Sequence, residues 1–398
     1  MKILQINKFF YRRAGAENYF LDVSRALEQA GHEMAFFSMH HPQNVPSPYA
    51  KYFIDEIDFG SGAQRSIQKA AHFIYSTEAA KKLEQLITDH RPDIAHVHNI
   101  AHQLTPSVLD TLRKHHIPVV MTLHDYQVLC PNYKLFTQGS PCERCKVHQY
   151  WNAIKFNCVQ DAKLPSALSA VEMAVQNVFK KTYAKGVNIF IAPSQFMYTK
   201  MNEWGWPESQ LHYLPNFIDR IRDTRIKKKN QFAYIGRLTK EKGVHLVLEA
   251  ARRMQDTTFI FAGSGEEESN MKATIQKEGL KNCVMLGFQP EHKIDTLIQE
   301  SQAVLVPSLW WENAPLSVYE ALALGTPVIA SNRGGLPELI KKGKNGIIFN
   351  PEKSNALAEA IQQMLAMPPL QIPKNTYTVG SHVEALTALY EKTIRQKK

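Results

Sequence analysis

No stretch of the 398-residue sequence approaches the roughly 18 consecutive apolar residues that a membrane helix requires, which excludes an integral membrane protein of that kind. A signal-peptide pattern is also missing. Met1-Lys2-Ile3-Leu4-Gln5-Ile6-Asn7 is interrupted by polar residues at once, so it reads as a first strand and predicts a cytoplasmic chain. Cysteine is scarce: five residues do not make a disulfide framework in such a compartment. Acidic side chains are outnumbered, 37 against 47 Lys and Arg, leaving a net charge of +10. A basic chain favours anionic partners such as phosphorylated metabolites, nucleic acid or an anionic membrane face. The basic residues are scattered or loop-borne, however, and form no recognised nucleic-acid module, so no nucleic-acid partner is expected. With 44% apolar and 21% charged residues the composition is that of a globular protein, and disorder is excluded.

At roughly 150 residues per domain, the length predicts two domains. Short apolar runs alternate with helical patterns throughout. Lys2–Ile6, Met34–Ser38, Ile94–His98, Val119–Leu123 and Ile189–Ala192 read as strands, and Glu17 to Ala30 reads as a helix ending at Gly31. The rhythm restarts after Pro215, with strands at Phe232–Ile235, Thr258–Ala262, Val284–Leu286, Ala303–Val306 and Val328–Ala330. Repeated strand–helix–strand units predict an α/β fold of two tandem Rossmann-like domains, each a doubly wound parallel sheet, facing a cleft. The expected divisions are 1–214, carrying a cysteine-bearing insertion at 130–158, then 215–375, then a C-terminal helix within 376–398 that crosses back to the first domain. Between the domains, the charged run Arg220 to Lys229 reads as a solvated loop, or else as a polyanion contact.

Two segments of the second half carry chemistry. Gly236-Arg237-Leu238-Thr239-Lys240-Glu241-Lys242-Gly243 follows a strand and precedes a helix. Two cations beside a helix N-terminus are what a pyrophosphate needs. Trp311-Glu312-Asn313-Ala314-Pro315-Leu316-Ser317-Val318-Tyr319-Glu320 holds two carboxylates eight residues apart. On one continuous helix they would stand about 80° apart. Pro315 suits a first helical position, which leaves Glu312 in the loop and Glu320 in the second turn. The two carboxylates then reach opposite ends of one ligand, with backbone amides between them.

Taken together, Arg237, Lys242 and the Glu312/Glu320 pair resemble glycosyltransferase family 4, retaining enzymes of GT-B architecture, and in particular its exopolysaccharide and lipopolysaccharide members. The likeness extends over Phe261-Ala-Gly263-Ser-Gly265, Ala321-Leu-Ala-Leu-Gly325-Thr-Pro-Val and Gly334-Gly-Leu-Pro-Glu338. The resemblance implies a nucleotide-diphosphate sugar donor in the second domain and a glycan or lipid-linked glycan acceptor in the first. It implies that Arg237 and Lys242, with Gly236 and Gly263, receive the diphosphate, and that Glu320 holds the ribose. Glu312 and the amides of Asn313, Ala314, Pro315, Leu316 and Ser317 would surround the sugar, with Glu312 positioning rather than attacking. No cofactor is needed for catalysis in that reading.

In the first half, Arg12-Arg13-Ala14-Gly15-Ala16-Glu17 resembles the family's glycine loop, with Ala14 in place of its first glycine. Gly15 and Ala16 are its substrate-binding candidates. His124, ending the strand in Met121-Thr122-Leu123-His124, is the catalytic candidate that matches a family histidine near the reaction centre. His96 and His98 share one strand face and are expected in the core or lining the cleft rather than as a metal pair. Cys130, Cys142, Cys145 and Cys158, with His148 as a substitute, have a spacing that suits a structural zinc, with reduced thiols and a disulfide as the other readings. Leu164, Leu168, Val171, Val175, Val178 and Phe179 form one helical stripe ending in lysines, expected to pack in the core or else to dock on anionic lipid. A GT-B epimerase or phosphorylase-like enzyme is the alternative function. An NAD-dependent oxidoreductase is weaker, since the first loop lacks Gly-x-Gly-x-x-Gly.

Overall fold

The structure, a computed structural model, describes residues 1–57, 67–372 and 377–396. Contacts divide the chain into two compact units. One comprises Met1–Leu135, Glu143–Pro215 and Val379–Lys398; the other comprises Phe136–Cys142 and Asn216–Thr378. The chain leaves the first unit between Pro215 and Asn216, and its final helix, Val379–Arg395, belongs to the first unit again. The boundary expected at residue 375 lies outside the described residues.

The first unit contains β1 (Lys2–Ile6), β2 (Glu33–Phe37), β3 (Ile94–Val97) and β4 (Val119–Thr122). The chain then forms a small antiparallel pair, β5 (Phe136–Thr137) with β6 (Ser140–Pro141), whose residues are grouped with the second unit, and the first unit continues with β7 (Ile189–Ala192) and β8 (Leu211–Tyr213). The parallel sheet runs β2-β1-β3-β4-β7-β8. Register places Ile6 beside Val97, Val97 beside Met121 and Met121 beside Phe190. The residues after those positions therefore emerge along one carboxyl edge, among them Asn7, His98 and His124.

The second unit repeats the plan with β9 (Gln231–Ile235), β10 (Thr258–Ala262), β11 (Cys283–Gly287), β12 (Ala303–Val306), β13 (Val328–Ser331) and β14 (Gly346–Phe349), in the order β11-β10-β9-β12-β13-β14. Both faces of this sheet are covered, which explains why its strands read as unbroken apolar runs. Phe232, Tyr234, Phe259, Phe261, Ala303, Leu305 and Ile329 pack into one cluster, while the intervening Val304, Val306, Val328 and Ala330 pack into another. Alternate residues thus serve opposite faces, as a pleated strand requires. In each sheet the strand order reverses beside the first strand, between β1 and β3 and between β9 and β12. Ligands of such folds bind beyond the carboxyl ends at that reversal.

The apolar stripe of the Leu164 region corrects the expectation of core packing. The helix Lys163–Ala174 runs into a π-helical turn, Val175–Phe179, and its apolar side faces outward. Leu164 is 57%, Val171 49% and Phe179 78% exposed. The inward side carries Ser166, Ser169, Ala170, Glu172, Met173 and Gln176 instead. Two of these polar side chains find carbonyls: Gln176 Nε2 donates to Ile74 at 2.8 Å, and the Ser166 hydroxyl donates to Ala162 at the start of its own helix at 2.7 Å. Periodicity reports a stripe but not the side on which the core lies. Among the described residues, no helix is long and apolar enough to cross a membrane.

The charged run after Pro215 is largely the exposed loop expected, with Arg222, Thr224, Arg225, Lys227 and Lys229 at the surface, but its first residue is drawn inward. Arg220 is enclosed by carboxylates, 2.7 Å from Glu291, 3.2 Å from Asp295 and 3.6 Å from Glu320. Lys228 donates to the Ser301 carbonyl and to the Thr326 hydroxyl, and burial brings its pKa down to about 8.

Replacement of outward Val171 by Asp is expected to leave thermal stability within about 0.5 kcal/mol, as for other surface sites. Replacement of inward Met173 by Ala should cost about 2–5 kcal/mol. Urea unfolding of the two variants checks the inversion; a large loss at Val171 would contradict it.

Candidate functional site

At the carboxyl end of β9 the chain turns through Gly236 and Arg237 into a 3-10 turn, Lys240–Lys242, and then into the helix Val244–Arg253. The turn is fixed by its neighbours. Gly236 N donates to the Ala262 carbonyl at 3.0 Å, and Leu238 N donates to the Ser264 carbonyl at 2.9 Å. Gly263, at φ +145, lies against Gly236 so closely that a Cβ would collide with the Gly236 carbonyl. That contact explains the Gly263-Ser-Gly265 pattern: the β10 loop must press on the β9 loop. The Arg237 side chain is 53% exposed and stands 4.0 Å from buried Glu241.

Beyond β12, the loop Pro307–Pro315 crosses to the same place. The Glu241 carbonyl accepts from Leu309 N at 2.8 Å, tying the two loops together. Glu312, in this loop as expected, is 3% exposed. Lys242 Nζ lies 2.6 Å from its Oε1, and the Ser308 hydroxyl donates to the same oxygen. Lys242 also sits over the Trp310 ring, 4.7 Å from its centroid. Burial alone would raise the Glu312 pKa. The Lys242 charge and hydrogen bonds from Lys242 and Ser308 outweigh it, and the net shift is downward. Glu312 is therefore a carboxylate at neutral pH. Gly334, at φ +61, passes so near the Glu312 backbone that no Cβ fits, and Gly335 N donates to the Glu312 carbonyl at 2.8 Å.

The helix Leu316–Ala323 starts directly after this loop, with Pro315 as its cap rather than its first residue. No side chain caps it, so the Leu316 and Ser317 amides have no side-chain acceptor from the cap. The cap segment is held from outside, with Asn216 Nδ2 donating to the Ala314 carbonyl at 3.0 Å. Asn313 is buried. Glu320 falls in the second turn of the helix, beside Arg220. Of the residues singled out in this half, the structure brings Lys242 and Glu312 into contact and sets Arg237 on the adjoining loop.

In the N-terminal unit the helix Gly15–Gln29 begins at Gly15 with no side-chain cap. Gly15 is exposed, Ala16 half-buried, and Glu17 buried. Burial raises the Glu17 pKa, opposed by the charge of Lys8, whose own pKa burial lowers. His124 is half-buried, and its Nε2 lies 2.9 Å from His98 Nδ1. Burial drops its pKa to about 3, so it acts as a neutral imidazole. His96 and His98 are fully buried and hydrogen-bonded, as core histidines.

The four cysteines are not gathered into a metal-binding set. Among the described residues, no three His, Cys, Asp or Glu side chains are placed to hold an ion. Cys145 is buried with Tyr150, Ala153, Ala170 and Met173, with Cys158 packed against them, and the Cys130 thiol donates to Asn132 Oδ1 at 3.0 Å. His148 Nδ1 lies 3.1 Å from the Tyr150 hydroxyl. A buried thiol behaves as a small apolar group, which the spacing alone does not distinguish from a ligand.

Residues 13–222, more than half of the chain, match the family model described as Glycosyltransferase Family 4, and residues 217–377 match Glycosyl transferases group 1. The chain belongs to glycosyltransferase family 4. It is 24% identical over 356 residues to an uncharacterised 42.6 kDa protein of a cps region in Klebsiella pneumoniae, covering 85% of this chain and 87% of that one. It is 31% identical over 140 residues to the amylovoran biosynthesis glycosyltransferase AmsK of Erwinia amylovora, covering 33% and 34%. Anabaena HepE, solved in complex with UDP and glucose, superimposes with a TM-score of 0.63 at 19% identity, covering 100% of this chain and 98% of that one. The architecture of this family 4 glycosyltransferase is thus GT-B.

Several residues of the site were missed in the sequence. Ser308 and Trp310 stand in a loop whose only sequence signal was its position after a strand. Arg220 was hidden in a charged run, and Gln5 and Tyr390 in apolar patterns.

Removing Lys242 strands a buried carboxylate. Lys242→Met is expected to destabilise by about 3–5 kcal/mol, with most of the loss recovered when Glu312→Gln is added. Because the Glu312 pKa is lowered, the stability it confers is complete above the unfolded value of 4.5 and is lost as pH falls through the folded value. Denaturation of both variants from pH 7 to pH 3 measures this; an unaffected single variant would refute the coupling.

Proposed function

We propose that this family 4 enzyme is a retaining glycosyltransferase that moves a sugar from a nucleoside-diphosphate sugar to a hydroxyl of a glycan or lipid-linked glycan, in assembly of a cell-surface polysaccharide. The observation that carries the reading is the Lys242–Glu312 pair at 2.6 Å, beside Arg237 and at the strand reversal of the C-terminal unit. The bond to be broken joins an anionic phosphate to a neutral sugar. An ammonium on one side and a carboxylate on the other suit those two halves. Lys242 and Arg237 take the charge that grows on the departing diphosphate, while Glu312 accepts from sugar hydroxyls. Glu312, already engaged by Lys242 and Ser308, positions the sugar rather than attacking it.

In this reading the acceptor oxygen bonds to the anomeric carbon on the face from which the nucleotide leaves. The carbon–oxygen bond to phosphate breaks, and the acceptor proton passes to the departing phosphate oxygen. Configuration is retained, and no metal or cofactor takes part. The UDP-bound state of HepE supports a nucleotide donor, and the names of AmsK and of the cps-region relative support a polysaccharide pathway.

Titration calorimetry with UDP, GDP and ADP tests the donor site. One nucleoside diphosphate is expected to bind selectively, and Arg237→Ala should weaken it by about tenfold or more, the worth of one charge-assisted hydrogen bond. Equal affinity in the variant would sink the phosphate assignment.

The same reading places the enzyme at the anionic cytoplasmic face of a membrane, where a lipid-linked acceptor lies. Its support is the outward stripe of Leu164, Val171, Val178 and Phe179, together with exposed Trp151 and Ile154 and exposed Lys155, Lys163, Lys180, Lys181 and Lys185. Between residues 144 and 185 the carboxylates are Asp161 and buried Glu172 alone. Each lysine near an anionic surface contributes about 1 kcal/mol. Co-sedimentation with phosphatidylglycerol vesicles is expected, and should be lost in Val171→Asp with Phe179→Asp. Equal sedimentation of this double variant would remove the stripe from the binding surface.

A further inference from the structure

We propose that Gln5 fixes the tautomer of His124 through a directed chain of hydrogen bonds, leaving His124 Nδ1 as an acceptor for a substrate hydroxyl. The inference deepens the reading above, in that it takes His124 as a substrate-facing group.

The chain lies wholly within the N-terminal unit, behind the carboxyl edge of its sheet. His124 Nε2 is 2.9 Å from His98 Nδ1, and His98 Nε2 is 2.9 Å from Gln5 Oε1. The Gln5 Nε2 end is buried, within electrostatic reach of the Tyr390 phenol but without a hydrogen-bond partner of its own. The Tyr390 hydroxyl is 2.6 Å from His96 Nδ1, and His96 Nε2 is 2.7 Å from the Thr122 hydroxyl. Gln5, His96, His98 and Tyr390 are all fully buried, and His124, half-buried, is the member that reaches outward.

Burial keeps all three histidines neutral, so each ring has one donor and one acceptor nitrogen. A hydroxyl can reverse and an imidazole can change tautomer, but a carboxamide has a permanent donor end and a permanent acceptor end. Gln5 therefore gives the chain its direction. Its Oε1 takes the proton of His98 Nε2, which leaves His98 Nδ1 as an acceptor. That nitrogen takes the proton of His124 Nε2, and the outer nitrogen of His124, Nδ1, keeps its lone pair. From Gln5 to His124 every donor meets an acceptor in this sense. In the opposite sense, the amide would have to turn over and His124 would present a proton instead. Beside this path, Tyr390 of the C-terminal helix pairs with His96 Nδ1, and His96 Nε2 with Thr122, so the neighbouring ring is satisfied separately.

Nitrogen-15 spectra of the histidine-labelled full chain test this directly. The His124 signals are assigned by their loss in His124→Gln. The wild type is expected to show His124 as the Nε2–H tautomer. Gln5→Leu removes the director and should convert His124 to a mixture or to Nδ1–H. Leu386→Ala, a fully buried change that leaves every member of the path intact, should retain Nε2–H and separates loss of direction from loosened packing. A wild type in the Nδ1–H form would overturn the proposal, and so would an Nε2–H signal unmoved in Gln5→Leu. The expected spectra combined with undiminished UDP-sugar turnover in His124→Gln would uphold the directed chain and overturn the substrate-facing reading of His124.

Discussion

An ionised carboxylate held almost wholly out of water is costly unless it is paired, and the loops of the C-terminal unit are arranged around one such group, Glu312. Lys242 comes to it from the loop after β9, and Ser308 from its own loop after β12. The Glu241 carbonyl ties those two loops together, and Gly334 lets the loop after β13 close against the Glu312 backbone. Each of these contacts depends on parallel strands that end along one edge. An antiparallel sheet would send alternate loops to the far side, and the pair could not form.

The N-terminal unit solves a different problem with the same sheet plan. Its carboxyl edge presents His124, and behind it lies a buried layer of neutral polar groups rather than a charge. Neutral groups are buried cheaply when they find partners, and the His98–Gln5 and Tyr390–His96 contacts supply them for the two imidazoles and the phenol. The C-terminal helix supplies one of those partners. The two units thus contribute unlike chemistry: fixed charge in one, where a diphosphate would be received, and oriented neutral dipoles in the other.

The strands were legible because both faces of each sheet are covered, so that Phe259–Ala262, Ala303–Val306 and Val328–Ala330 read as continuous apolar runs. The edge strands β8 and β14 were not singled out. They are short, and β14 follows a charged turn. Arg237, Lys242, Glu312 and Glu320, proposed above to receive the donor, were legible as motifs because that chemistry would need those residue types at fixed points of a strand–loop–helix unit. Their partners were less so. Ser308, Trp310 and Arg220 come from ordinary-looking sequence and matter only through what lies beside them.

What the sequence by itself determined is the alternation of strands and helices, the loop position of Glu312, the second-turn position of Glu320 and the cations that follow β9. These follow from local rules: apolar period, proline at a helix start and glycine where a loop must press on another. Only the tertiary structure decided which side of the Leu164 helix faces the core, that Arg220 is enclosed by three carboxylates, and that the four cysteines do not form one ligand set. It alone joined Tyr390 to His96, across a separation of 294 residues. A hydrophobic period is the same whether the stripe turns inward or outward. A thiol, an arginine or a histidine likewise takes its role from neighbours that are distant along the chain.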